Sequence, residues 1–493
     1  MRHAVEALAR WVRSSFRRHP RGRERTDQVQ FNGSSAGRKR DVVIGLDFGT
    51  SCTKVVVRIP YDFDRAFAVP FGVAAHHSSP YLLPSVLWIG QDGKPSLTKV
   101  ADGSYLRDLK YYLMEQKPVP ATNGGTGGKT FDPKIVAVAF LALALRATRS
   151  WFLQTQEEAY SGFALDWQFN LGLPSADFAE ELLCRDYLRI TAAAWHLSVE
   201  AGPIELTGAV AAHDAVQLLE DESATGVGAF CDCGDRDSAA IRLIPEVAAE
   251  VVGYARSHLR DEGLHLLVDI GASTLDVCGF ILHKKEGDDC YELLTADVRE
   301  LGAMILHRRR LQAARGRVSK SQFPLLLDHD PVDPVPDELN DFLAVVPSAD
   351  RDLLLKSDEE YRKDCSQMLW KTLIDLKTKR DPHSARWKSE MPLFLSGGAR
   401  GMAFYRESIK AISDDLVKMY QPSQGIQPLP LTKPDNLEAD INDDGFHRLA
   451  VAWGLSYPET DIGTVTRPSE IADIARPTST YDSCPEGIPK EWT

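Results

Sequence analysis

A turn of unusual composition occurs twice in the sequence. Residues 46–55 read LDFGTSCTKV and residues 268–277 read VDIGASTLDV. In each copy an apolar run ends in an Asp, a Gly follows two residues later, and small or hydroxyl-bearing residues precede a second apolar run. The backbone N–H groups of such a turn point outward and form an anion-binding concavity, which suits phosphate. The glycines allow the backbone to approach that anion closely.

The aspartates of the two turns would repel a phosphate unless a cation lies between them. Mg²⁺ prefers oxygen ligands, keeps several of its waters and bridges carboxylates to phosphates. Asp47 and Asp269 are therefore predicted to hold a magnesium ion, and the hydroxyls of Thr50, Ser51 and Thr53 add hydrogen-bond donors. Two such turns facing each other would hold a polyphosphate from both sides. The repeat thus predicts one phosphate grip per lobe, with a nucleotide in the cleft between the lobes.

The hydrophobic patterns around the turns predict alternating strands and helices. Both turns read as strand, tight turn, strand, and residues 81–98 read as a further hairpin with Asp92-Gly93 as its turn. Helical patterns cover about 104–116, 133–158, 177–198, 358–379 and 446–456. Such alternation is typical of an α/β protein in which sheets are covered by helices. At 493 residues the chain exceeds one average domain, so two lobes are expected.

The charge distribution separates a basic N-terminal arm from an acidic body. The chain has a formal net charge of −13, although residues 1–41 contain eleven Lys or Arg against four Asp or Glu. An acidic body argues against nucleic acid as the main partner. In the arm, Val5, Leu8, Trp11, Val12 and Phe16 share one helical face, so a membrane-surface or partner-docking helix is the alternative to a solvated tail.

Several other segments invite a functional interpretation and are predicted to be structural. The loop NGGTGGKT at 123–130 lacks a preceding strand and is read as a flexible surface loop. The segment CDCGDRD at 231–237 has only two thiols, too few for a structural zinc site. The apolar run at 135–147 is too short for a membrane span and is read as a buried helix. Eight cysteines without a CxxC pair suit a reducing, cytoplasmic interior.

Taken together, these motifs resemble the superfamily of actin, the seventy-kilodalton heat-shock chaperones and the sugar kinases. IGLDFGTSCTK is similar to its first phosphate motif and LLVDIGASTLDV to its second. Chaperones usually have three glycines where this chain has Gly271, Ala272 and Ser273. Four further segments resemble, in order, the Lys-bearing helix, the connecting segment, the Leu-Gly-Gly turn and the adenosine motif of the chaperones: LRDLKYYL (106–113), RLIPEVAAEVVGYA (242–255), ELGAM (300–304) and FLSGGARGM (394–402).

The resemblance implies roles for individual residues. Asp269 would orient or deprotonate the attacking water as well as hold Mg²⁺ with Asp47, and Glu246 would complete the metal and water shell. Lys110 would lie near the terminal phosphate. The nucleotide-binding set would be Gly49, Thr50, Ser51, Thr53, Lys54, Gly271, Ala272, Ser273, Thr274, Gly302, Gly397, Gly398 and Ala399.

Structural alternatives to these roles remain open on the sequence. Lys54 and Lys110 fit solvated positions on a strand and a helix, and Glu246 fits a helix N-terminal acid favoured by the dipole. The two aspartates fit turn formers. Asp276 is read as structural or supportive.

The fold implied by the resemblance is the two-lobed actin-like ATPase fold, in which duplicated ribonuclease-H-like lobes enclose a central nucleotide cleft. Its expected divisions are the arm at 1–41, lobe I at 42–258, lobe II at 259–445, a closing helix returning toward lobe I at 446–458, and a C-terminal tail at 459–493. Residues 321–350 are rich in Pro and Asp and are expected to form an irregular excursion.

The function implied is that of a chaperone-like molecular switch. It would bind ATP or ADP with Mg²⁺, hydrolyse ATP, and control an unidentified protein partner through lobe closure. The helix with which chaperones grip adenine is not recognisable, and the chain after the closing helix is too short for a peptide-binding domain. An actin-like filament-forming ATPase with self-association, a small-molecule kinase and a nucleotide-binding pseudo-ATPase are the alternatives.

Overall fold

The two repeated turns lie in two different sheets of the structure, a computed structural model. The structure describes residues 39–61, 64–76, 78–122, 128–157, 163–174, 181–220, 228–231, 237–314 and 339–474. The predictions for the basic arm up to residue 38, for most of the NGGTGGKT and CDCGDRD segments, for the excursion up to residue 338 and for the tail after residue 474 lie outside the described residues.

Most strands belong to two large sheets. In chain order the strands are β1 (Lys39–Phe48), β2 (Cys52–Ile59), β3 (Arg65–Ala68), β4 (Leu83–Pro84), β5 (Leu87–Ile89), β6 (Pro95–Ser96), β7 (Ser104–Leu106), β8 (Val119–Pro120), β9 (Thr130–Phe131), β10 (Ala164–Leu173), β11 (Gly228–Cys231), β12 (Ala239–Pro245), β13 (Gly263–Ile270), β14 (Leu275–Lys285), β15 (Asp288–Arg299), β16 (Glu390–Ser396), β17 (Gly425–Leu429), β18 (Leu437–Glu438) and β19 (Thr464–Thr466).

The helices lie between the strands and supply the crossovers. They are α1 (Leu109–Met114), α2 (Pro133–Thr155), α3 (Glu181–Val199), α4 (Leu206–Glu220), α5 (Glu246–Ala255), α6 (Ala303–Ala314), α7 (Leu339–Val345), α8 (Arg351–Asp375), α9 (Ala403–Met419), α10 (Asp443–Phe446), α11 (Ala450–Leu455) and α12 (Glu459–Ile462).

The two large sheets share the same order over five of their strands. The first sheet runs β11-β12-β10-β1-β2-β3-β18, and the second runs β17-β16-β13-β14-β15-β19. In each, three antiparallel strands (β1–β3 or β13–β15) are followed by two strands parallel to the first of them (β10 and β12, or β16 and β17). Parallel pairing needs long crossovers, and the helices provide them. The predicted α/β class is confirmed, and the structure adds that both sheets are mixed.

Helix α2 forms much of the core of the first sheet. It begins after Asp132, whose carboxylate accepts hydrogen bonds from the backbone N–H groups of Lys134 and Ile135. Among the described helices it is the one long and apolar enough to cross a membrane by length and composition, but 61% of its apolar window is buried inside the protein. Because α2 packs against α3 and α4, we describe it as a core helix, as predicted for 135–147.

The short elements differ from the predicted helical segments in two places. Residues 104–106 form β7 rather than helix, because they pair with β5, and α1 begins only after Asp108, whose backbone is left-handed. The helical segment at 446–456 is divided between α10 and α11. By contrast, the hairpin predicted at 81–98 is present as β5 and β6, closed around Asp92-Gly93 by a hydrogen bond between Gly90 and Lys94.

Helix α11 lies late in the chain, after both large sheets have formed most of their strands, and returns to the first sheet. It packs against α5 and against β1 and β2. A Cβ at Gly454 would lie 1.7 Å from the carbonyl oxygen of Ala249 in α5, and a Cβ at Gly45 in β1 would lie 2.3 Å from the backbone nitrogen of Ser456. Glycine at both positions therefore permits backbone contact. Further on, β19 lies within the segment predicted as a tail and pairs with β15, while β18, within predicted lobe II, pairs with β3 of the first sheet.

Candidate functional site

The repeated turns line one cleft between the two sheets. The cleft encloses about 740 Å³ of empty space when the part open to solvent is included. Of the residues predicted to bind nucleotide or metal or to catalyse, those that line it are Asp47, Gly49, Thr50, Ser51, Lys54, Lys110, Glu246, Asp269, Gly271, Ala272, Thr274, Gly397 and Gly398. Thr53, Ser273, Gly302 and Ala399 do not line it.

The first turn joins β1 to β2 and carries an ion pair. Asp47 and Lys54 are register partners on the two strands, and Lys54 Nζ donates to Asp47 Oδ2 over 2.8 Å. Lys54 therefore lies in the cleft and not in a solvated strand position. Thr53 is fully buried on the other face, where its hydroxyl lies 3.0 Å from the hydroxyl of Ser85. Ser85 also donates to the carbonyl oxygen of Gly49 over 2.6 Å, which holds the turn in place.

The second turn joins β13 to β14 in the same way. Asp269 and Asp276 are register partners, and the Gly271 N–H donates to the carbonyl oxygen of Thr274 over 2.9 Å. Ser273 is a buried residue of this turn, and the Gly302 N–H donates to its carbonyl oxygen. A Cβ at Gly302 would lie 2.5 Å from the backbone of this turn. Ser273 and Gly302 therefore support the turn without reaching the cleft.

A third backbone segment reaches the cleft from β16. Ser396 is the register partner of Asp269, and Gly397 follows with a positive φ of 85°. A Cβ at Gly397 would lie 2.2 Å from Asp269 Oδ1, so this position requires glycine for conformation and for space. The Ala399 N–H donates to the carbonyl oxygen of Ile270, which directs Ala399 into the core and away from the cleft.

Replacing Gly397 by alanine is expected to cost at least about 2 kcal/mol of unfolding free energy, because left-handed strain and the clash with Asp269 add together. Gly398→Ala is the matched control, since a Cβ there meets nothing within 4 Å. Denaturant unfolding of the two variants beside the wild type measures the difference. Equal stability of the two variants would contradict the close approach of Gly397 to Asp269.

A buried ion pair links α1 to the start of α5 at the floor of the cleft. Lys110 Nζ donates to Glu246 Oε1 over 2.8 Å, and the side chains are 8% and 12% exposed. Burial by itself lowers the pKa of Lys110, but Glu246, Tyr187 and Asp47 outweigh it, so that pKa is raised. Lys110 is thus a permanently charged cation aimed into the site. Glu246 is also the first residue of α5, where the helix dipole favours a carboxylate.

Carboxylates outnumber cations in this part of the cleft. Burial, followed by the charges of Glu246 and Asp47, raises the pKa of Asp269 to about 7. Its Oδ1 is buried and has no hydrogen-bond partner among the described residues. One helical turn beyond Glu246, Glu250 is 4% exposed, and burial together with Asp269 raises its pKa well above the usual range. Such a surplus of buried negative charge is costly unless protons or a cation neutralise it.

The donor set fits a hydrated magnesium ion better than a directly coordinated one. Mg²⁺ prefers oxygen ligands. Asp269 offers a carboxylate oxygen that has no hydrogen-bond partner among the described residues. Among the described residues, however, no group of three or more His, Cys, Asp or Glu is placed to hold a metal directly. Since Mg²⁺ retains waters and shares its shell with phosphates, Asp47 and Asp269 would hold it partly through water.

The raised pKa of Asp269 predicts a pH-dependent stability. A carboxyl group whose pKa is near 7 in the folded state and 3.8 when unfolded favours folding at low pH. That contribution is lost as pH rises from about 4 to about 7 and amounts to about 4 kcal/mol. In EDTA, Asp269→Asn is therefore expected to gain stability relative to wild type across this range and to keep the gain above it. Urea unfolding from pH 5 to 8 checks this, and a pH-independent difference would contradict it.

The structure adds cleft residues that the motifs did not indicate. They are Cys52, Asp276, Ser396, His447, Arg448 and Val451. Asp276 was read as structural or supportive; its position opposite Asp269 explains its presence at the cleft. His447, Arg448 and Val451 come from the segment around α11, where no motif signals a ligand. Their position depends on the packing of α11 against α5 and β1, which a single sequence does not reveal.

No protein-family model matches the chain, and no curated protein matches it significantly.

Proposed function

We propose that the cleft binds ATP or ADP with Mg²⁺, that the protein hydrolyses ATP, and that it acts as a molecular switch controlling a partner protein. One observation carries the proposal. The two copies of the turn, far apart in sequence and carried by sheets of the same strand order, line the same cleft with Asp47 and Asp269 in it. If Asp47 and Asp269 served only to form turns, nothing would require them to line the same cleft.

The shared strand order supports a finer description of the fold. Three antiparallel strands followed by two parallel ones is the order expected for a ribonuclease-H-like lobe, and the chain contains it twice. We therefore propose the two-lobed actin-like ATPase fold, with α11 returning to the first lobe. In this arrangement each lobe supplies one phosphate-binding turn, which explains why the turn occurs twice in the sequence.

The phosphates would lie between the two turns. Thr50 and Ser51 would contribute backbone N–H groups and hydroxyls from the first lobe, and Ala272 and Thr274 would contribute backbone N–H groups and the Thr274 hydroxyl from the second. Gly397 and Gly398 line the cleft and have no side chains, so their own backbone would lie directly against the nucleoside. Nests of this kind hold oxyanions without needing a full counter-charge.

Bound Mg²⁺ would neutralise phosphate charge, and the chain's own residues would do the rest of the chemistry. Asp269, a buried carboxylate whose Oδ1 has no hydrogen-bond partner among the described residues, suits a general base that accepts a proton from the attacking water. Lys110, charged and fixed by Glu246, offsets the negative charge that develops in phosphoryl transfer. Glu246 positions Lys110 and contributes to the surplus that attracts the cation.

Lobe closure would turn nucleotide binding into a signal. A ligand that contacts both lobes shifts the equilibrium toward the closed arrangement. The size of the shift equals the difference between its binding free energies for the closed and open arrangements. Helix α5 begins at the cleft with Glu246 and packs on α11, so it joins the site to the end of the chain. A cytoplasmic location is proposed with this function, in keeping with the free cysteines among the described residues.

Nucleotide binding tests the proposal directly. We expect titration calorimetry to show micromolar or tighter binding of ATP and ADP that weakens at least tenfold in EDTA and in Asp47→Asn. Asp92→Asn is the matched control, because Asp92 forms an exposed Asp-Gly turn remote from the cleft. Absence of nucleotide binding in the wild type would overturn the proposal. Pelleting of the protein with Mg-ATP would favour the filament-forming alternative over the switch.

A further inference from the structure

One cation lining the cleft differs from the other two. Lys54 is paired with Asp47 and Lys110 with Glu246, both over 2.8 Å. Arg448, in contrast, has no carboxylate partner among the described residues, and its Nη2 lies 3.5 Å from the sulfur of Cys52 in the first turn. A guanidinium offers five donors in a planar fork that matches phosphate oxygens.

The surroundings of Arg448 are positively charged. Burial, followed by the charges of Arg400 and Arg448, lowers the pKa of His447 to about 4, and Lys54 contributes in the same direction. His447 is therefore neutral at pH 7. Arg448 also opposes the charged form of Lys54, whose pKa is nevertheless raised because Asp47 outweighs burial. Like charges gathered at one side of a cleft are unfavourable until an anion lies between them.

The charges of the cleft include a carboxylate and a cation without an ion-pair partner among the described residues. Asp47 is paired with Lys54 and Glu246 with Lys110, whereas Asp269 and Arg448 are in no such pair. Arg448 lies beside the first turn, where Thr50 and Ser51 also line the cleft. A metal-bound polyphosphate suits this arrangement, because its metal complements the unpaired carboxylate and its unshielded oxygens complement the unpaired guanidinium.

We propose that Arg448 binds the phosphate chain of the ligand from the segment that precedes α11. This assignment deepens the proposed function and rests on it. It also gives the end of the chain a direct contact with the ligand, because Arg448 lies two residues before α11, which packs on α5 and β1. Binding of phosphate by Arg448 would thereby influence the position of α11.

Arg448→Met is the test, and Arg386→Met is its matched control. Arg386 is a partly buried arginine that pairs with Asp261 and does not line the cleft. We expect Arg448→Met to weaken Mg-ATP and Mg-ADP binding by about 10- to 100-fold, the loss typical of a charged hydrogen bond. Arg448→Lys should recover part of that loss, and Arg386→Met should remain within about threefold of wild type.

Magnesium tripolyphosphate as a second ligand separates a phosphate contact from a nucleoside contact. The inference expects Arg448→Met to weaken tripolyphosphate binding by the same factor as ATP binding. It is overturned if the variant binds both ligands like wild type, if only ATP binding falls, or if thermal unfolding of the ligand-free variant shows that the fold itself is lost. Wild type that binds tripolyphosphate but not ATP would refute the nucleotide and leave the arginine assignment standing, whereas wild type that binds neither refutes both.

Discussion

Asp269→Asn is expected to hydrolyse ATP about 10²- to 10⁴-fold more slowly than the wild type, the usual contribution of a positioned general base. Asparagine keeps the shape of the side chain and loses its ability to accept a proton. The effect should appear in kcat at saturating Mg-ATP, since in the proposed site the two turns, Asp47 and Lys110 would still hold the metal-bound phosphates. Steady-state phosphate release with saturating Mg-ATP measures it.

The same assay contains its own controls. EDTA should abolish turnover of the wild type, and Asp92→Asn should leave it unchanged because that residue lies in a distant exposed turn. If Asp269→Asn turns over ATP like the wild type, Asp269 is not the base. If the wild type binds ATP without turnover, the pseudo-ATPase alternative gains support.

Lys110→Met is expected to lower the unfolding free energy by about 3–5 kcal/mol at pH 8, as is typical when one partner of a buried ion pair is removed. Methionine retains much of the apolar stem of lysine but leaves Glu246 unpaired near Asp47 and Asp269. The loss should shrink below about pH 6, because unpaired buried carboxylates then take up protons. Denaturant unfolding in EDTA at two pH values measures both effects.

A double-mutant cycle with Glu246→Gln distinguishes pairing from packing. If the pair carries the effect, the double variant should be destabilised by clearly less than the sum of the single variants. Lys410→Met provides an exposed comparison, because Lys410 pairs with Asp414 on the surface of α9 and should cost less than about 0.5 kcal/mol. A similar loss for Lys410 and Lys110 would show that burial of the pair is unimportant.

Local sequence was sufficient for the hairpins and for the class of the fold. The turns at Asp47 and Asp269, the turn at Asp92-Gly93 and the core helix α2 all follow from patterns within about ten to twenty residues. In the hairpins, apolar strands joined by a short Gly-containing turn pair with each other without help from distant segments. In α2, the backbone hydrogen bonds are local and the Asp132 side chain caps the first turn. Short elements such as β7 and α1 were less well predicted, because pairing with β5 overrides a helical pattern.

The two repeated hairpin turns, their aspartates and the α/β class could therefore be predicted from the sequence, because these are properties of neighbouring residues. The packing of the sheets and helices was needed to show that the turns share one cleft, that Lys110 pairs with Glu246, and that Thr53, Ser273, Gly302 and Ala399 do not line the cleft. It also brought Arg448 to the first turn through the packing of α11 on α5. Such contacts join residues hundreds of positions apart, and their geometry depends on how whole sheets and helices pack.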